Sequence, residues 1–385
     1  MEIAKGNSGV YSILMSQFGL AFCFNVVMSF MPFYIIKVSP YSAHETMLWI
    51  GMIMGLNSFL AAVAAPIWGS LTSRFRPKRL FQSTFLFNGI IFLIMGFTDS
   101  LPLILALRLM QGALGGASTV GIFMISQISH RDRLAGHLSL YQNSMTAGSL
   151  LGPPVGAYIA AHLGYHAPFI ASFVMIGISL LLCQIYVAEI PKKETERGRK
   201  IAFNQGLLWA WALSFIATIH LTFLPSILPH ILEGFGLTGE AALKSAGFIM
   251  MGYTATAIIG SYVISRLTPA AKLTGVIAAA CLVASLFQVL LYLSQGVFSF
   301  AAIRMLQAGV IAAVIPLAMA NFGSKMGGTG IGFLNAARFA GNGTGPLLAT
   351  AVLAGSNLLT LYLLIAGLTI GAITAFLFTT KKETG

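Results

Sequence analysis

Apolar runs of about twenty residues recur twelve times along this chain, and they leave one class of fold open. The runs are Val10–Ile36, Thr46–Ser70, Leu80–Phe97, Leu101–Ile128, Leu138–Ala161, Ala167–Val187, Gln205–His230, Leu243–Ser265, Leu273–Leu293, Val297–Phe322, Gly328–Ala354 and Asn357–Thr379. A helix of ~20 apolar residues spans the hydrocarbon core of a bilayer. Only 8% of the 385 residues are charged and 57% are hydrophobic, whereas a soluble domain carries about 25% charged residues. Inside lipid every backbone polar group has to be satisfied within the protein, so each run has to be helical. The expectation is an all-α polytopic membrane protein with 12 transmembrane helices and the lipid bilayer as its first partner. The first run is longer than the core of a secretory signal and ends in no small-residue cleavage site, so it reads as a span.

The net charge of +12 invites a nucleic-acid reading, but its distribution points to the bilayer. With the N-terminus placed in the cytoplasm, 17 of the 22 Lys and Arg residues fall in cytoplasmic segments. Only Lys37 and Lys244 fall in outer loops, and Arg108, Arg304 and Arg338 lie within spans. Positive charge stays on the cytoplasmic side, so both termini are expected there, in a plasma or bacterial inner membrane. The polar stretch Glu189–Asn204 reads as a cytoplasmic linker. It divides the chain into an N-terminal six-helix bundle (1–188), the linker (189–204) and a C-terminal six-helix bundle (205–385).

The two halves echo each other. Arg108 and Gln111 in LILALRLMQGALGGA match Arg304 and Gln307 in SFAAIRMLQAGVIAA. GSLTSR at Gly69–Arg74 matches GSYVISR at Gly260–Arg266. The stretch SMTAGSLLGPPVGA, with Gly148, Gly152, Pro153, Pro154 and Gly156, matches GNGTGP, with Gly341, Gly345 and Pro346. Glycines four apart flatten one helix face so that another helix comes close. A proline pair that would break a soluble helix is tolerated in a span, where neighbours re-satisfy the freed carbonyls. Three matches in one order imply two pseudo-symmetric bundles, and parallel six-helix repeats with a site between them are one transporter plan.

At these residues the chain resembles the major facilitator superfamily, most closely its drug:proton antiporter branch and the bacterial multidrug-resistance exporters. The loop motif G-x-x-x-D-R-x-G-R-R/K is carried by Gly69–Arg79, GSLTSRFRPKR; the fourth-helix arginine by Arg108 with Gln111 and Gly112; the fifth-helix antiporter motif by Gly148–Ala157; and MPFYI at Met31–Ile35 also resembles that branch. The resemblance covers nearly the whole chain. It implies alternating access, proton-coupled export, and gating roles for Gly69, Ser73, Arg74 and the glycines and prolines of the two repeat motifs. Ser73 stands where the family has Asp, and Arg76 where it has Gly, which removes a charge expected to act on a helix N-terminus.

No Asp or Glu lies in the middle of a span, although a buried carboxylate is the common proton carrier of that branch. The interior charges are positive. Arginine stays ionised and forks onto carboxylate or phosphate, and a charge at membrane depth is a functional candidate by default. Arg108, Arg304 and Arg338 are therefore candidate substrate-binding residues, with the amides Asn25, Asn335 and Asn342. Asn335, Arg338 and Asn342 share one helical face by their spacing. His220 is the histidine deepest within a span and the candidate for proton coupling. Cys23, Cys183 and Cys281 sit in separate runs at spacings suited to neither a disulfide framework nor a metal site.

No phosphate-binding loop, zinc-protease motif or nucleophile elbow is present in the sequence, so ATP hydrolysis and common hydrolase chemistry find no support, and neither a cofactor nor a metal is expected. The expected function is secondary active transport, with proton-coupled export of a small anionic or zwitterionic amphipath such as a drug, metabolite or siderophore. The partners are that small molecule and protons, with no nucleic acid, and the protein is expected to act as a monomer. The alternatives are an importer or uncoupled facilitator of an organic anion, and a non-transporting membrane sensor with the same fold.

Overall fold

A computed structural model describes residues 2–129, 131–189, 205–323 and 328–384. Within them the chain forms fifteen α-helices and no strand. They are α1 (Glu2–Val38), α2 (Ala43–Arg74), α3 (Pro77–Met95), α4 (Leu101–Ala113), α5 (Ala117–Ile128), α6 (Arg131–Leu163), α7 (Ala167–Tyr186), α8 (Gln205–Thr222), α9 (Leu224–Gly234), α10 (Gly239–Leu267), α11 (Leu273–Leu290), α12 (Val297–Ala312), α13 (Val314–Gly323), α14 (Gly328–Gly355) and α15 (Leu358–Thr384). The fold is that of an all-α, multi-pass membrane protein, as expected. Most of the expected linker, 190–204, lies outside the described residues.

Three of the twelve runs are each divided into two helices, and the sequence gives the cause in each case. The run from Leu101 breaks after Ala113 at Leu114–Gly115–Gly116; a side chain on Gly115 would meet Ala61 at 3.2 Å, and one on Gly116 would overlap the Trp68 ring. The run from Gln205 breaks at Phe223, two residues before Pro225. The run from Val297 breaks at Ala313, three residues before Pro316. By contrast, α6 runs unbroken through Pro153 and Pro154, although those rings leave the carbonyls of Ser149 and Leu150 without a helical N–H.

Among the described residues, nine helical stretches are long and apolar enough by composition to cross a membrane. The helices α3, α6 and α14 complete the twelve. α6 and α14 owe their lower apolarity to the glycine, serine, threonine and amide residues they carry along their length.

The chain forms two compact units. The first comprises Met1–Pro40, Leu56–Arg197 and Thr238–Phe248; the second comprises Tyr41–Gly55, Gly198–Leu237 and Ile249–Gly385. Division by packing therefore crosses division by sequence: the start of α2 belongs with the second unit and the start of α10 with the first.

In the first unit α1 lies along α6 and also packs on α7, which in turn packs on α3. The α1–α6 pair is close because its glycines face backbone. A Cβ on Gly148 would lie 2.7 Å from the Phe18 carbonyl oxygen, and one on Gly152 2.7 Å from the Asn25 Cβ. Gly156 approaches Val26 more closely still. The first turns of α10 join here through Gly247, whose Cβ would sit 2.9 Å from the Pro153 carbonyl oxygen. Glu240 holds the same corner, bonded to Lys244 and 3.5 Å from His162 Nε2.

The second unit repeats the plan with α8 along α14. A Cβ on Gly341 would lie 2.6 Å from Thr218 Cβ and 2.8 Å from the Phe215 carbonyl oxygen. Gly345 faces Thr222. The start of α2 packs on the other side of α14, with Gly55 against the Gly343 carbonyl oxygen and Leu347, and His44 Nδ1 is 2.9 Å from the Ala354 carbonyl oxygen. An apolar core of Leu213, Ala217, Ile277, Cys281, Ile311, Val314 and Phe376 joins α8, α11, α12, α13 and α15.

Without a hydrophobic drive between helices in lipid, such contacts depend on packing itself. Gly152→Ala is expected to cost about 1–3 kcal/mol through overpacking, read as a lower melting temperature of the purified protein. Gly177→Ala on α7, where a Cβ meets nothing within 4 Å, is expected to be neutral or to gain up to ~1 kcal/mol of helix propensity.

Candidate functional site

Three arginines lie within spans, and the structure treats them in two ways. Arg108 on α4 and Arg304 on α12 are fully enclosed, at 1% and 0% exposure, while the Arg338 side chain on α14 is exposed.

The enclosed pair follows the sequence repeat. Arg108 Nη1 donates to Gln111 Oε1 at 2.9 Å, and Arg304 Nη1 donates to Gln307 Oε1 at 2.6 Å. Each guanidinium then reaches the first spanning segment of its own half at a point set by a proline. Pro225 removes the N–H that would bond the Leu221 carbonyl, and Arg304 Nη2 donates to that carbonyl at 3.2 Å. At the matching place in the first unit Arg108 Nη2 donates to Met28 Sδ at 3.0 Å, and Met28 stands four residues before Pro32. The Met28–Pro32 and Leu221–Pro225 pairs are offset by the same spacing as Gly148 and Gly341, so each Arg-x-x-Gln docks on a proline site that belongs to the repeat.

Around Arg304 the enclosure is aromatic and polar. Its guanidinium carbon lies 4.7 Å from the Tyr253 ring centroid and 5.0 Å from that of Phe223. Gln307 Nε2 bonds to Gln288 Oε1 and lies 3.3 Å from His220 Nδ1. His220 Nε2 is 2.8 Å from Thr369 Oγ1, which donates to the Ile365 carbonyl at 2.8 Å. Gln307 can only donate through its nitrogen, so Nδ1 accepts and the His220 proton sits on Nε2, donated to Thr369. The network ties α8, α11, α12 and α15 together. It leaves Arg304 Nε and Gln288 Nε2 buried without a partner.

The other candidates are placed as follows. Asn25 donates from Nδ2 to the Ala21 carbonyl at 2.8 Å and to Ser149 Oγ at 3.1 Å, so its amide binds α1 to α6. Asn342 is partly buried and shares the Arg338 face of α14. The side chains of Asn335, Gly69 and Ser73 lie outside the described residues. Arg74 is exposed at the end of α2, and in the same loop Arg76 lies 3.8 Å from Glu189.

The loop motif also holds a residue that sequence reading passed over. Lys78 is buried, and its Nζ donates to the Gln184 carbonyl at 3.1 Å in the last turn of α7, where a cation offsets the helix dipole. A second omission is Gln17 on α1. Its Nε2 donates to Ser118 Oγ at 3.1 Å, and Tyr141 OH donates to its Oε1 at 2.7 Å, joining α1, α5 and α6. Gln288 and Thr369 are the corresponding omissions in the second unit. An amide inside an apolar run was the signal available for Gln17 and Gln288.

Known proteins agree with this architecture. The family model of the Major Facilitator Superfamily matches residues 13–346. The Multidrug resistance protein MdtG of Escherichia fergusonii is 24% identical over 356 residues, which cover 89% of this chain and 87% of the relative. A solved bacterial homologue of the human lysosomal transporter Spinster, inward-facing and occupied, superposes with a TM-score of 0.77 at 13% identity, covering 97% of this chain and 96% of its own. The human organic anion transporter MFSD10 gives a TM-score of 0.70 at 15% identity, with 96% and 99% covered. The chain belongs to the major facilitator superfamily, and it is a multi-pass membrane transporter of small molecules.

Gln307→Leu is expected to strip Arg304 Nη1 and His220 Nδ1 of their partners inside the unit. Each buried group so exposed costs about 1–3 kcal/mol. A clear drop in melting temperature checks this; an unchanged value would show that the network contributes nothing to stability.

Proposed function

We propose that this transporter exports a small amphipathic molecule of anionic or zwitterionic character by proton-coupled alternating access, as a monomer in a bacterial inner membrane with both termini cytoplasmic. The observation that carries the substrate class is the contrast among the three arginines. Arg108 and Arg304 are committed to glutamines, a sulfur atom, a freed carbonyl and aromatic rings, whereas Arg338 is an exposed residue on a helix rich in glycine and amides. In this reading Arg338 meets the substrate anion, with Asn342 and Asn335 along the same face, and Arg108 and Arg304 shape the helices around it. The export direction is supported by the glycine–proline motif of α6 and by a relative named for multidrug resistance.

Arg338→Ala is expected to reduce transport of an organic-anion substrate at least ten-fold in proteoliposomes while leaving the melting temperature within a few degrees of wild type. Arg338→Lys is expected to restore only part of the rate, since an ammonium lacks the guanidinium fork. Near-normal transport by Arg338→Ala would overturn the substrate-class assignment.

Coupling is assigned to His220. A second proton on its ring would turn Nδ1 from acceptor to donor and break the bond from Gln307, so proton uptake would act directly on a network of four helices. His220→Gln is expected to abolish substrate-driven proton flux while retaining substrate exchange. The closed hydrogen-bond shell of His220 favours one other reading, an uncoupled facilitator of an organic anion. That reading requires wild-type protein to move substrate with no accompanying proton flux.

A further inference from the structure

The second unit contains a cavity that the transport reading does not use. It has a volume of about 360 Å³ and is bordered by His230 and Glu233 of α9, by Phe235, Ser294 and Phe300, and by Tyr362 of α15. Pockets of this size suit a drug fragment.

Its chemistry is distinct from that of the arginine-bearing helices. Glu233 is the acid on its wall and is exposed. Phe300 and Tyr362 are both at 1% exposure, so they close the inner end of the cavity, while Phe235 and Tyr292 on the same wall keep open ring surface. Tyr362 is held edge-on to Phe223, with ring centroids 6.3 Å apart, and its hydroxyl has no hydrogen-bond partner among the described residues, although the residue borders the cavity. Arg304 lies one turn beyond Phe300 on α12 but is not on the wall. Its charge is engaged by Gln307 and the Leu221 carbonyl and covered by the Phe223 and Tyr253 rings.

We propose that this cavity is a ligand site for a monocationic amphipath carrying a flat ring, separate from the anion-handling helix α14. The carboxylate of Glu233 takes the ammonium, and the open faces of Phe235 and Tyr292 attract the same cation through their quadrupoles. The Phe235 and Tyr292 rings cover the apolar body. The Tyr362 hydroxyl supplies one hydrogen bond to a polar substituent.

The native cysteines make a selective test available. Cys23, Cys183 and Cys281 are all buried, whereas Ser294 borders the cavity. Full-length Ser294→Cys protein in nanodiscs is labelled with a membrane-impermeant maleimide in the presence of phenethylammonium. Hydrocinnamate and phenethyl alcohol serve as anionic and neutral compounds of the same ring and chain.

Phenethylammonium is expected to slow labelling at position 294 several-fold, and the other two compounds are not. Adding Glu233→Gln, a rim substitution that leaves the core intact, is expected to raise the half-protecting concentration about five-fold, in keeping with a partly exposed charge pair. Tyr362→Phe is expected to weaken protection by phenolic amines such as tyramine and to spare phenethylammonium. Equal protection by all three probes, or protection unchanged by Glu233→Gln, would overturn the proposal. Neither result depends on transport, so failure here is separable from failure of the Arg338 reading.

Discussion

The close approach of a glycine-striped helix to its partner sets the frame of each half. Where Gly148, Gly152 and Gly156 face α1, and where Gly341 and Gly345 face α8, backbone rather than side chain forms the contact. In a bilayer no water is displaced by such a contact, so its strength comes from fit. The fit fixes the distance between helices and thereby the position of every polar group they carry. Asn25 reaches Ser149 only because Gly152 lets α6 come close, and Thr222 Oγ1 reaches the Gly341 carbonyl at 3.3 Å for the corresponding reason on α14.

The second constraint is the proline in the first spanning segment of each half. Proline frees a carbonyl that lipid cannot satisfy. In the second half an arginine from α12 meets that need, and an arginine can do so at depth only if its remaining donors are also occupied. Gln307 and two aromatic rings occupy most of them, and Gln288, His220 and Thr369 extend the polar chain. Around Arg108 the contact near the proline is instead with the Met28 sulfur, four residues before Pro32. In each half the Arg-x-x-Gln motif is enclosed and bonds to the first spanning segment near a proline.

The helical, multi-pass architecture was legible because it rests on patterns of length and period: twelve apolar runs and three motifs repeated in order. Pro225 and Pro316 stand close to two of the three helix breaks, but Pro32, Pro153, Pro154 and Pro346 lie inside unbroken helices, so proline alone did not mark where a run would divide. The remainder needed tertiary neighbours. Arg108, Arg304 and Arg338 are identical as letters, and only burial separates two committed guanidiniums from one exposed side chain. Gln17, Gln288 and Lys78 gained meaning only from partners a hundred or more residues away or on another helix. The assignment of Tyr41–Gly55 and Thr238–Phe248 to the opposite units from their own helices likewise follows from packing on α14 and α6, which no local period encodes.

The central claim, that an anion-accepting helix with an exposed Arg338 defines the cargo, is tested most directly by the charge dependence of transport. Proteoliposomes holding the purified protein would be supplied in parallel with amphipathic carboxylates, amines and alcohols of matched ring and chain, and accumulation followed for each. Protein-dependent movement of the carboxylates, with little movement of the amines and alcohols, is the expected result. Movement of amines or alcohols with the carboxylates excluded would contradict it.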